Sequence, residues 1–222
     1  VLSQRWHIFQ VVFDGHQPEY PGDFTSVEQT VDEVTQYLNV HGISHLDAAY
    51  GCSLGGSFVG LLAARQNIHM DYGILGSSDL DQASPLAARL QTDFLLPLIY
   101  PVVRDGKFKA KFLQKRLDKC AKESGDYVKA FLKMFGEARP YVTMQSCKNQ
   151  FYSDLITPLP DKIHVPGTEI HIFYALKMGA KYRARYQQHF AHPVLHEQNL
   201  QHEELLACHP VQWAHLVKSI AL

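Results

Sequence analysis

Leu46-Asp47-Ala48-Ala49-Tyr50-Gly51-Cys52-Ser53-Leu54-Gly55-Gly56 opens as a short apolar strand and closes in glycines. Phe58, Val59, Leu61, Leu62 and Ala63 follow at once and continue as a helix. A strand, a sharp turn and a helix are therefore expected in direct succession. Upstream, Trp6-His7-Ile8-Phe9-Gln10-Val11-Val12-Phe13 is a β-rich apolar run and reads as a buried strand. Thr25 or Ser26 can cap a helix with Glu28 in its first turn. Val27, Val31, Val34 and Leu38 share one face of that helix, and Gly42 stops it. Downstream, Tyr72 to Gly76 is a third strand. Strands alternating with helices imply βαβ crossovers and a parallel sheet.

After Ser84 the pattern changes. Pro85 to Pro158 contains helical stretches and no convincing strand. Lys107 to Lys133 is basic and amphipathic, with Phe108, Phe112, Leu113, Leu117, Val128, Phe131 and Leu132 at its apolar positions. Glu169 to Leu176 resumes the strand pattern, Tyr182 to Phe190 is helical, Val194 to Leu200 reads as a short strand, and Pro210 to Ile220 is a terminal helix. The fold class expected is α/β, a mostly parallel sheet flanked by helices. Residues 1–84 and 159–222 form its core, and 85–158 a helical insertion.

The 222 residues suit one domain with a modest insertion. Near-balanced charge, 21 basic against 22 acidic side chains, argues against a polycationic nucleic-acid binder. A 46% hydrophobic content excludes intrinsic disorder. No apolar run approaches the ~18 residues of a membrane span, so no stable membrane insertion is expected. Cys52, Cys120, Cys147 and Cys208 form no CxxC, and the thirteen histidines form no HExxH, so no metal and no organic cofactor is expected. Val1-Leu2-Ser3-Gln4-Arg5 is no signal peptide, and the location expected is cytoplasmic.

Gly51-Cys52-Ser53-Leu54-Gly55 matches G-x-S-x-G, in the strand-to-helix setting that makes the pattern informative. A serine at the apex of such a turn holds its hydroxyl clear of the backbone. Side chains two residues before and after would collide with neighbouring chain, so glycine is expected at both places. The helix that follows aims its N-terminus at the hydroxyl, and the Leu54 N–H can stabilise an oxyanion there.

On these residues the chain resembles the α/β-hydrolases, over most of its length, with the helical insertion where that family carries its lid. Asp14-Gly15-His16 resembles the loop after the strand that precedes the serine turn. Leu200-Gln201-His202-Glu203-Glu204-Leu205-Leu206 resembles the late loop that carries the family's histidine. The resemblance implies Ser53 as nucleophile and His202 as its base, with His16 and His209 as rivals. The family usually places its acid just after the strand at 169–176, where this chain reads Leu176-Lys177-Met178-Gly179-Ala180-Lys181. Some members take it from the end of the preceding strand, which makes Asp79 the first candidate and Asp81 the second. A dyad is the third option. Glu203, adjacent to His202, would struggle to reach its far nitrogen. The family's oxyanion loop precedes the helix before Trp6 and nothing here matches it. Val1 to Arg5 looks like the end of that helix, and the expectation is that the chain given lacks the residues ahead of it, since a sheet cut there would expose a buried edge.

An apolar pocket under a helical lid suits a small-molecule acyl or aromatic substrate, with Phe94, Leu95, Leu96, Leu98, Ile99 and Tyr100 as candidate walls. Lys107, Lys109, Lys111, Lys115 and Arg116 read as a solvated basic face. Cys52 reads as a small packing residue. The function expected is a serine hydrolase of carboxylic esters. A non-catalytic binding protein of the same fold and an acyltransferase are the alternatives, and the oligomeric state is open.

Overall fold

The computed structural model describes residues 2–108, 110–134, 136 and 138–221. Among them the order is α1 (Val27–Val40), β1 (His45–Cys52), α2 (Leu54–Arg65), β2 (His69–Gly76), α3 (Pro85–Asp105), α4 (Lys111–Ser124), α5 (Tyr127–Met134), α6 (Met144–Ile156), β3 (Glu169–Ala175), α7 (Ala180–His189), β4 (Val194–Gln198), α8 (Glu204–Cys208) and α9 (Pro210–Ile220). A 3-10 turn, Leu176–Met178, links β3 to α7. The four strands lie in the order β1-β2-β3-β4, every pairing parallel.

Two compact units divide the chain. The first holds residues 1–10, 27–80 and 157–222, hence the whole sheet with α1, α2 and α7 to α9. The second holds 11–26 and 81–156, with α3 to α6 and no strand among its described residues.

Both faces of the sheet are apolar, as parallel strands require. On one face Ile74 and Phe173 pack with Leu205, Val217 and Ile220 from the terminal helices, joined by Tyr50 and Trp213. On the other, the small residues of α2 let it lie close: a β-carbon at Gly73 would sit 3.4 Å from the Val59 side chain. The stripe expected on α1 is present, with Val27, Val31 and Leu38 buried and Thr35 beside them, and Gly42 ends the helix at φ 69°. In the second unit, Leu96 of α3 packs with Val142 and Cys147, and Tyr100 joins them. Phe94 is 71% exposed and Phe112 59%. Lys109 of the expected basic face lies outside the described residues.

Two expectations fail. Residues 6–13 form no strand; Ile8, Phe9 and Val11 are exposed. β-rich composition supplies a surface that can pack, but a strand also needs a ladder partner, and none of the described strands pairs with this segment. Also, α3 is long and apolar enough, by length and composition, to cross a membrane. Its charges, Arg89, Asp93, Arg104 and Asp105, lie towards the ends or apart, so the apolar stretch is hidden from a search for unbroken runs. Pro97 and Pro101 lie inside it.

Candidate active site

β1 runs to Cys52, Ser53 makes the turn, and α2 starts at Leu54. Ser53 adopts φ 54° and ψ −119°, a conformation that L-residues rarely hold and that costs roughly 1–3 kcal/mol. Two backbone bonds fasten it. The Ser53 N–H donates to the Gly76 carbonyl at the end of β2 (2.7 Å), and the Gly56 N–H donates to the Ser53 carbonyl (2.9 Å).

The glycines around it have distinct causes. A β-carbon at Gly51 would stand 1.9 Å from the Gly55 carbonyl oxygen, so nothing larger fits. Gly55 differs from expectation: a β-carbon there meets no described atom within 4 Å. The crowded position is Gly56, where a β-carbon would fall 1.6 Å from Ser78 Oγ and 2.5 Å from Ser78 Cβ. Gly56 therefore lets α2 close against the loop that leaves β2.

His202 Nε2 lies 3.0 Å from Ser53 Oγ across 149 residues of sequence. The loop that presents this imidazole is tied down locally. The buried Glu204 carboxylate accepts from the Gln201 N–H at 2.6 Å, and Glu203 takes φ 60°. Gln201 and Glu204 stand three apart, the spacing of a helix-start carboxylate reaching back to a backbone N–H. That sequence signal was available for Glu204.

Asp79 occupies the loop after β2. Ser77 (φ 50°) and Leu80 (φ 49°), neither of them glycine, bend the chain on either side of it. The Ser77 N–H donates to the Phe173 carbonyl of β3 (3.1 Å). From α7, the buried Tyr186 hydroxyl donates to the Ser78 carbonyl (2.6 Å) and Arg185 Nη1 donates to the Asp79 carbonyl (2.9 Å). Six non-glycine residues among those described have positive φ, and four of them, Ser53, Ser77, Leu80 and Glu203, belong to these three loops. Strained backbone is thus concentrated around one hydroxyl and one imidazole.

Beneath the turn sits a polar group that sequence reasoning did not assemble. The Cys52 thiol hydrogen-bonds to the Glu203 carboxyl and to the Tyr50 hydroxyl. Burial, reinforced by the Glu203 charge, pushes the thiol far above its ordinary range, so Cys52 stays a neutral thiol. Burial likewise raises the Glu203 carboxyl, against the opposing pull of His202 and the Cys52 hydrogen bond; Asp79 raises it further through like charge. Burial also raises the Tyr50 hydroxyl.

The other candidates have their own surroundings. His16 Nδ1 is 3.1 Å from the Asp14 carbonyl and Nε2 3.3 Å from Gln150 Nε2, all within the second unit. His209 is exposed immediately before α9. Asp81 belongs to the second unit. After β3, the 3-10 turn Leu176–Met178 carries no carboxylate.

A parallel sheet with a strained serine between strand and helix, and a histidine from a loop after the last strand, defines the architecture. The chain has the α/β-hydrolase fold. An α/β hydrolase family protein from Desulfitobacterium hafniense superposes on 95% of this chain and 82% of its own, at TM-score 0.73 and 16% identity. An enol-lactonase from Burkholderia xenovorans matches 94% of this chain and 78% of its own (TM-score 0.57, 16% identity). A thermophilic esterase from Thermogutta terrifontis matches 90% and 72% (TM-score 0.57, 13% identity). No family model matches the sequence, and no curated protein matches it.

Proposed function

We propose that this α/β-hydrolase-fold protein is a serine hydrolase of carboxylic esters. The observation that carries the reading is the 3.0 Å approach of His202 Nε2 to Ser53 Oγ on a strained turn. A serine hydroxyl is a poor nucleophile near neutrality, and an imidazole within hydrogen-bond reach is the base that activates it. Several fold neighbours are described as esterases or lactonases, which act on the same bond type.

Ser53 Oγ attacks the acyl carbon while its proton passes to His202 Nε2. Negative charge gathers on the former carbonyl oxygen. Leu54, the first residue of α2, has an N–H with no partner four residues back, and it supplies one donor to that oxygen. The bond from acyl carbon to leaving oxygen then breaks, and His202 returns the proton to the departing alcohol. Water next attacks the acyl-Ser53 ester, gives its proton to His202, and the acid leaves as Ser53 recovers a proton. For Nε2 to accept, His202 Nδ1 must carry the ring proton, and we assign Asp79 to hold that tautomer and the charged form that follows. The support is the bent loop whose carbonyls α7 grips, and the nearness of the Asp79 charge to Glu203, next in chain to His202.

A fluorophosphonate probe tests the nucleophile, since it modifies only an activated serine. Stoichiometric labelling is expected, mass spectrometry placing it on Ser53 and Ser53→Ala abolishing it. A folded protein that takes no label would overturn the proposal. The second reading, a ligand-binding protein without catalysis, is favoured by the carboxylate-free turn after β3. It requires that outcome together with no release of p-nitrophenol from short acyl esters. Faster turnover when an alcohol or thiol acceptor is added would point to acyl transfer instead.

A further inference from the structure

His45-Leu46-Asp47 opens β1 and His69-Met70-Asp71 opens β2, and the two strands pair with His45 opposite His69. Leu46 opposes Met70 and Ala48 opposes Tyr72, so Asp47 lies beside Asp71. Period-two alternation puts both histidines and both aspartates on one face. Two identical His-x-Asp triplets, 24 residues apart in sequence, are thereby stacked in register.

The side chains converge. His45 Nε2 is 2.9 Å and His69 Nε2 3.5 Å from the same Asp71 oxygen, Oδ1. The three ligand atoms lie within 4.8 Å of one another. Bonds of 2.0–2.1 Å to a tetrahedral Zn²⁺ place neighbouring ligand atoms ~3.3 Å apart, so small side-chain adjustments suffice. The imidazoles stack with centroids 5.6 Å apart and planes 22° from parallel. Gly167 borders the His69 ring, where a β-carbon would come within 3.5 Å of Nε2. Glycine there leaves the ligating edge uncovered. All three side chains are partly open to solvent, which gives an ion a way in and allows water to complete its shell.

We propose that His45, His69 and Asp71 form a binding site for a borderline divalent transition metal, Zn²⁺ above all, with Asp47 or water in the fourth position. Two imidazoles and a carboxylate select that class over Mg²⁺ and Ca²⁺, which prefer all-oxygen shells. The inference revises the expectation of no metal, which rested on ligand spacing within one segment. It is independent of the esterase reading: Ser53 follows the far end of β1, about 23 Å along the strand from His45. The ion would act structurally, pinning β1, an edge strand among those described, to β2.

Titration of the metal-stripped full chain with ZnCl₂ by calorimetry, and with CoCl₂ by visible absorption, tests the site. One tight equivalent is expected, with the d–d bands of a low-symmetry Co²⁺ complex. His45→Ala, His69→Ala and Asp71→Asn should each weaken binding at least tenfold. His196→Ala, which alters the separate His171–His196 contact of 2.9 Å, should leave it unchanged. Zn²⁺ should raise the melting temperature of the wild type and not that of the His45→Ala/His69→Ala double variant, whose folding circular dichroism would verify without metal. A double variant binding as tightly as the wild type, or a wild type binding no Zn²⁺ at micromolar concentration, would overturn the proposal.

Discussion

Ser53 is held where its own backbone is uncomfortable, and this separates its two roles, as hydroxyl and as hinge. Ser53→Ala removes the proposed nucleophile and keeps the strain. Ser53→Gly removes both, because glycine tolerates positive φ. Both variants should lose esterase turnover, but the glycine variant should be the more stable by about 1 kcal/mol, the strain relieved exceeding the entropy glycine adds to the unfolded chain. Urea unfolding midpoints check this, and equal midpoints would mean the turn is not strained. His202→Ala should lower turnover by ~10²-fold or more with the unfolding midpoint nearly unchanged. Asp79→Asn tests the orienting carboxylate on the same scale, with Asp81→Asn as the control expected to retain activity. The serine was legible from its glycine-flanked pattern and the histidine from its place in chain order. Glu203 was not: its carboxyl meets Cys52 only because a left-handed residue turns the chain after His202, and positive φ at a glutamate leaves no mark in sequence.

At the scale of elements, α2 and the loop after β2 are fitted to each other through Gly56 and Ser78. Gly55→Ala should be tolerated or slightly stabilising, since alanine favours the helix and its methyl meets no described atom. Gly56→Ala should cost at least the ~1–3 kcal/mol of ordinary overpacking, because Ser78 Cβ cannot swing away. Adding Ser78→Gly should recover part of that loss, a coupling read from a double-mutant cycle. α7 grips the same loop from its other side. Tyr186→Phe removes a buried hydrogen bond, leaves the Ser78 carbonyl without it, and should lower stability by ~1–3 kcal/mol. If Asp79 positions His202, kcat should fall with it while KM moves little. Strands β2 and β3 were legible because buried parallel strands are dense in apolar residues. The segment at 6–13 has the same composition without the partner, and composition alone cannot tell the two apart.

Across the whole molecule, the ends of β1 and β2 and the loop at 200–204 meet through sheet order and register, and linear sequence carries neither. The same holds for His45 and His69, brought opposite each other only by strand pairing. The polar cluster under Ser53 links the site to global stability. Burial raises the Glu203 carboxyl, so the folded chain holds that proton more tightly than the unfolded chain does. The sign follows from the direction of the shift. The contribution is full below the ordinary glutamate value of 4.5 and is lost as pH rises through the higher folded value. The shift, opposed by His202 and by the Cys52 hydrogen bond, therefore makes the carboxyl a net cost to the fold as pH rises above the ordinary glutamate range. Glu203→Gln keeps an acceptor for that thiol and carries no charge. Its melting temperature should exceed that of the wild type at pH 7–8, and the difference should shrink as pH falls towards 4.5. A difference independent of pH would show that the gain comes from packing, and a lower melting temperature at pH 8 would show that the carboxylate is stabilised by its surroundings after all.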